Sequence, residues 1–382
     1  MSLTHILNSK KIRFSAVFGL FLILINFQTV LKAQADSAQH HVADTVASVA
    51  RHEAGAEGAE HGAAAHGEHE KFNPTKVIME HIADSHMWHV VGDFSIGLPV
   101  ILYTDKGTEM FSSSKFHHGE EAYEGKYYTY KLIEDKIYAV DANGNIDKVS
   151  SEKVYDFSIT KNILAIWIAV VLLILIFSSV SASYRKREGK APKGFQSLIE
   201  PIILFVRDEI ARPNIGYQYG KFMPLLLTMF FFIWINNLLG LIPLFPGGAN
   251  VTGNIFMTFV LSFITLLVVN LNGNKYYWKH ILLPDVPWWL YPIMIPVEII
   301  GVLSKPFALM IRLYANISAG HIIVLSLIAL IFIFKSIALA PVSVAFVLFM
   351  DVLELLVAFL QAFIFTMLTA LFIGTAVDEH HH

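Results

Sequence analysis

Residues 304–321, reading SKPFALMIRLYANISAGH, decide how this chain is to be understood. Across residues 306–334 the one fixed positive charge is Arg312, set among Leu, Met, Ile and Tyr in a run otherwise suited to lipid. A guanidinium keeps its proton in a protein, so placing it mid-bilayer costs about 3 kcal/mol on insertion scales. Ionisable groups at that depth are functional by default.

Periodicity ties further residues to that charge. Glu298, Lys305, Arg312 and Asn316 follow one another at intervals of seven, seven and four, which at about 100° per residue puts them within ~40° on one helix face. A helix interface held by polar groups is one reading of such a stripe, and an ion path is the reading favoured here. The last apolar run adds Asp351, Glu354 and Gln361. In an antiparallel hairpin, residues at equal depth have index numbers of nearly constant total. Arg312 is then level with Gln361, and His321 with Glu354, at two heights about 10–14 Å apart. Imidazole beside carboxylate can exchange a proton near neutral pH, although a structural hydrogen bond would use the same pair. His321 follows Arg312 by about half a turn of azimuth on an ideal helix. His321 and Glu354 are therefore expected to line an inlet inside the protein, with Asn316 and Gln361 at its inner end, while Arg312 faces outward.

Composition agrees with a membrane setting. The 382 residues are 55% hydrophobic and 15% charged, with a mean hydropathy of +0.54, too apolar for an ordinary soluble domain. The expected fold is an all-α polytopic membrane protein with five transmembrane helices, ending in a long tilted helical hairpin and preceded by a small, mostly β extracytoplasmic element. Spans are expected at 162–184, at two places within 222–274, which carries no charge and is divided by Pro243-Leu-Phe-Pro-Gly-Gly, and at 286–334 and 337–377 around a turn at Lys335-Ser336. Pro296 and Pro306 are candidate bends. Asn236, Asn237, Thr252 and Asn254 are read as polar groups that hold helices together. A net charge of -3 argues against a nucleic-acid partner, and the absence of cysteine excludes disulfides and thiolate metal sites. No cofactor and no metal site are expected.

Four segments follow from the pattern. Residues 1–35 have the form of a signal peptide: Lys10, Lys11 and Arg13, an apolar run over 14–30, then Ala33-Gln34-Ala35 for cleavage. A first membrane span is the alternative. Residues 36–70, rich in His, Ala and Glu, are expected to be disordered, with zinc or copper buffering as the sharper alternative. Residues 71–156 read as β structure with hairpin signals at Asp105-Lys106-Gly107 and Asn143-Gly144-Asn145. There the spacing His81-x4-His86-x2-His89 is read as solvated surface histidines, or as two imidazoles brought together on a helix. Residues 157–382 form the transmembrane domain. Arg185, Lys186, Arg187, Lys190 and Lys193 put the end of the first span in the cytoplasm, and Lys275 and Lys279 mark a second cytoplasmic return. The N-terminal region is thus expected outside the cytoplasm and the C-terminus inside. Residues 195–212 suit a helix lying along the cytoplasmic interface.

The quoted stretch, together with LQAFIFTMLTALF at 360–372, INNLLGLIP and VTGN, resembles the membrane-embedded a subunit of the rotary F-type ATP synthase. The likeness runs over about residues 157–379, in a bacterial form with an extended extracytoplasmic N-terminal region. It implies a proton-conducting stator with two offset half-channels, in which Arg312 meets the carboxylate of each c subunit as the c ring turns. Protons would enter past His321 and Glu354 and leave near Glu298 and Lys305. Implied partners are the ring of c subunits, b-type peripheral stalk subunits and the complete ATP synthase. In many bacterial relatives a carboxylate and a histidine stand where this chain has His321 and Glu354, and the order here resembles that of mitochondrial members. No G-x-x-x-x-G-K-[ST] loop occurs, so ATP chemistry belongs to a partner and this chain is non-catalytic. A self-contained secondary transporter or ion channel, with Arg312 holding an anionic substrate, and a membrane anchor for the β element are the rival readings.

Overall fold

The computed structural model describes residues 84–377 apart from 92–93, 120, 134, 142–143, 188–189, 243–246, 284–285 and 335–339. The expected signal peptide, the histidine-rich segment, Pro243-Leu-Phe-Pro and the turn at Lys335-Ser336 lie outside the described residues. The chain divides into two compact units.

The first unit holds eight short strands: β1 (Met87–Val91), β2 (Phe94–Gly97), β3 (Pro99–Thr104), β4 (Gly107–Ser112), β5 (Tyr123–Glu124), β6 (Thr129–Ile133), β7 (Lys136–Val140) and β8 (Tyr155–Asp156). They pair antiparallel as β1-β2, β4-β3-β8 and β5-β6-β7. β3 alternates buried Val100, Leu102 and Thr104 with outward Pro99, Ile101 and Tyr103, the period of two that a half-buried strand requires. Its hairpin to β4 closes at Thr104 and Gly107, with Asp105-Lys106 as the two-residue loop. Gly107 has φ +135°, and a Cβ there would come 2.7 Å from the Tyr127 hydroxyl, so the glycine answers both a backbone and a space requirement. The core gathers Met87, Val100, Leu102, Phe111, Phe116, Tyr130, Leu132 and Ile137. Glu109 is buried against it and is satisfied by the Lys126 backbone N–H at 2.5 Å and the Tyr130 hydroxyl at 3.1 Å. A short helix, α1 (Lys148–Ser151), is capped by Asp147, whose side chain accepts from Val149 and Ser150 N–H groups.

His86 differs from expectation. The segment at 87–91 is a strand, and His81 lies outside the described residues. His86 itself is 2% exposed, with Nε2 2.7 Å from Asp156 Oδ2. A partner seventy positions away in sequence made the imidazole buriable. Burial pushes the Asp156 carboxyl up, but hydrogen bonding and charge from His86, with hydrogen bonds from Ser158, outweigh it and leave the carboxyl below its ordinary range.

The second unit contains the helices α2 (Lys161–Lys186), α3 (Phe195–Phe205), α4 (Arg212–Ile215), α5 (Tyr219–Leu241), α6 (Ile255–Asn272), α7 (Lys275–Leu282), and most of α8 (Tyr291–Phe334) and α9 (Ala340–Val377). Among the described residues five stretches are long and apolar enough to cross a membrane, in the order expected from the sequence. α5 buries Phe222, Leu226, Phe230, Phe231, Phe232 and Ile233. Residues 195–212 are not one regular helix. A π-helical turn at Val206–Ala211 separates α3 from α4, because Pro213 offers no N–H and its ring crowds the preceding turn. Arg212 instead donates its N–H to the Arg207 carbonyl five residues back. α8 runs unbroken through Pro296 and Pro306.

Candidate functional site in the last two helices

Three contacts establish that α8 and α9 run antiparallel alongside one another. Lys305 Nζ lies 5.5 Å from the Phe372 ring centroid. A Cβ added to Gly320 would fall on the Glu354 carboxylate. Toward the far end, Ser343 Oγ donates to the Leu327 carbonyl at 2.5 Å. Glu354 is thus level with Gly320, one residue from His321, and a side chain at 320 would push the carboxylate from the position it holds.

α8 is two-faced. Pro306, Leu309, Met310, Leu313 and Ile317 are buried, at the spacing of one helix stripe. Lys305, Arg312 and Asn316 are exposed, and around them Ser304, Ala308, Ala315 and Ala319 are exposed as well. Arg312 makes no ion pair or hydrogen bond among the described residues. Glu298 is half-buried, with Oε2 4.0 Å from His280 Nδ1 on α7. On α9, Asp351 is exposed, Glu354 is half-buried and Gln361 is 5% exposed.

His321 is half-buried and points its Nε2 to within 3.8 Å of where a Gly240 side chain would begin. That glycine also faces the Ala249 carbonyl, at 3.3 Å. Residues 249–252 are buried although not helical, so their backbone and side chains need partners. Thr252 Oγ1 donates to Asn237 Oδ1 at 2.6 Å, and Asn237 Nδ2 donates to the Ala358 carbonyl at 3.1 Å. Ser318 Oγ reaches the Gly253 carbonyl at 3.3 Å. Asn237 and Thr252 therefore join α5, the 249–254 segment and α9, the holding role read from the sequence. Two buried amide atoms here, Asn236 Oδ1 and Asn250 Nδ2, have no protein partner among the described residues.

Sequence reasoning missed Asn250, Ser318, Gly320 and His280. GGAN at 247–250 carried a signal, since glycines beside a carboxamide between two apolar runs mark a non-helical turn at depth. The others become visible only when separate helices meet.

At the C-terminal end of α9, Asn274 donates its N–H and Nδ2 to the carbonyls of Ala376 and Val377, at 2.9 and 2.8 Å. Gly374 lies directly on the Asn214 carbonyl. The second half of α9 is thereby fixed, whereas its first half exposes Phe346, Leu348, Phe349, Val352, Leu355 and Leu356.

Among the described residues, five stretches long and apolar enough to cross a membrane, one of them carrying the exposed Arg312, define a polytopic membrane protein. Residues 163–374 match the family described as ATP synthase A chain. The chain belongs to that family, a membrane-sector subunit of the bacterial F-type ATP synthase. It is 47% identical over 233 residues to ATP synthase subunit a of Chloroherpeton thalassium, covering 60% of this chain and 69% of that one. It is 49% identical over 236 residues to ATP synthase subunit a 2 of Chlorobaculum tepidum, covering 59% and 66%. With ATP synthase subunit a 2 of Chlorobium luteolum the identity is 44% over 269 residues, 68% of this chain and 77% of the relative. Residues 77–157 match a separate family described as a domain of unknown function (DUF8433).

Proposed function

We propose that this chain is the proton-conducting stator of the rotary motor, with Arg312 as the barrier between two offset half-channels and the contact point for a ring of c subunits. The supporting observation is that Arg312 is exposed and unpaired among the described residues, between polar levels at His321 and Glu354 on one side and Glu298 on the other. From Arg312 these lie about 13 and 21 Å along the helix axis. A fixed cation attracts an arriving deprotonated carboxylate, favours loss of its proton and repels a proton passing straight through.

Protons enter from outside past Asp351, His321 and Glu354, with Asn316 and Gln361 at the inner end, and load a ring carboxylate. After nearly a full turn they leave near Glu298 and Lys305. The unpartnered amide atoms of Asn236 and Asn250 can hold water beside the inlet. The chain itself is non-catalytic, and b-type stalk subunits restrain it against the ring. The positive cluster at 185–193 sets residues 71–156 outside and the C-terminus in the cytoplasm, with the proton-channel domain spanning 157–382.

Arg312→Ala should abolish ATP synthesis in membrane vesicles and open a passive proton leak that needs the ring. Undiminished synthesis in that variant would refute the reading.

A further inference from the structure

His280 lies beside the proposed exit. α7 connects α6 to α8, and along it Lys275, Tyr276, Trp278, Lys279 and His280 are exposed while Ile281 is buried. It therefore lies where the chain turns at the end of two spans, with its polar and aromatic side chains turned outward. Glu298 is two turns into α8, about 10 Å beyond the start of that helix at Tyr291, and is half-buried. A carboxylate at that depth needs a carrier to exchange protons quickly with bulk buffer. His280 places Nδ1 4.0 Å from Glu298 Oε2 while its own side chain is 68% exposed, a separation that one bridging water or a small rotation closes.

We infer that His280 is a proton-relay residue, taking protons that leave by way of Glu298 and delivering them to the aqueous phase. The inference rests on the exit assignment made above. The balance is simple: the imidazole accepts a proton at Nδ1, through water or directly from the Glu298 carboxyl, and releases the one at Nε2 to buffer. Nothing is oxidised, and a ring flip or a return proton resets the tautomer. The charged groups on the two elements at this position are Lys275 and Lys279 on α7 and Glu298 on α8.

The test uses the complete ATP synthase in proteoliposomes, with His280→Gln, Glu298→Gln and the double variant measured at low and high concentrations of mobile buffer. Expected is a several-fold loss of ATP synthesis in His280→Gln at low buffer, largely restored by millimolar imidazole on the exit side, with no further loss when it is added to Glu298→Gln. A loss that imidazole leaves untouched would make His280 a structural residue and overturn the inference. Unchanged synthesis at low buffer would overturn it too. Arg312→Ala in the same vesicles separates the two failures, because lost coupling there with an unaffected His280→Gln removes the relay and leaves the rotary reading standing.

Discussion

The β unit and the last two helices handle polar side chains in opposite ways. In the β unit Glu109, His86 and Asp156 are withdrawn from solvent or partly so, and each has hydrogen-bond partners within the unit. On α8 and α9, Arg312, Asn316 and Asp351 are exposed and have no such partner among the described residues. Burial differs just as sharply. In the most apolar window of the α3–α5 stretch 72% is buried, against 17% in α8 and 11% in α9. A self-satisfied unit is complete by itself, whereas a hairpin with a free guanidinium and bare apolar flanks presents a surface for something else.

The largest break in that comparison should come from Gly320. Gly320→Val would displace the Glu354 carboxylate from its place beside α8, and ATP synthesis should fall several-fold while the rest of the complex assembles. Normal rates would mean that Gly320 and Glu354 are not packed as described. Next, exchanging His321 and Glu354 together should retain more synthesis than replacing either alone. Equal loss in all three variants would dissolve the pair.

Smaller effects sharpen the other side. Phe116→Ala removes a fully buried ring from the β core, and should destabilise that unit by about 3–5 kcal/mol, read as faster amide exchange confined to residues 84–161 of the full chain. Exchange spread evenly over the whole chain would contradict a core centred on Phe116. The smallest effect concerns pH. Asp156 has its carboxyl held below the ordinary range, so its contribution is present above the unfolded value of about 3.9 and is lost as pH falls through the lower folded value. Protection of the β unit should therefore be flat from neutral pH to about pH 5 and weaken below about pH 4, and Asp156→Asn should reduce that dependence.

Much of this was legible in the sequence, for identifiable reasons. Long uncharged runs name spans because a bilayer tolerates little else, and Asp105-Lys106-Gly107 names a hairpin because its glycine supplies the required backbone. The constant-total argument placed Glu354 at the depth of His321, and the contact with Gly320 is at that depth. His86 was misread because local pattern cannot reveal a carboxylate seventy positions on. The π-helical turn before Pro213 and the buried 249–254 segment escaped for a related cause: each depends on backbone groups finding partners that periodicity does not encode.

The most direct test of the central claim exploits a chain that contains no cysteine. Ala315→Cys places a thiol on the exposed face of α8 beside Arg312, and a matching cysteine is introduced beside the essential carboxylate of the ring subunit. Mild oxidation of the assembled complex should join the two chains in high yield and stop ATP synthesis, and reduction should restore it. If that thiol forms no bond to the ring, while a cysteine at exposed Val352 or elsewhere on the hairpin does, Arg312 does not face the rotor.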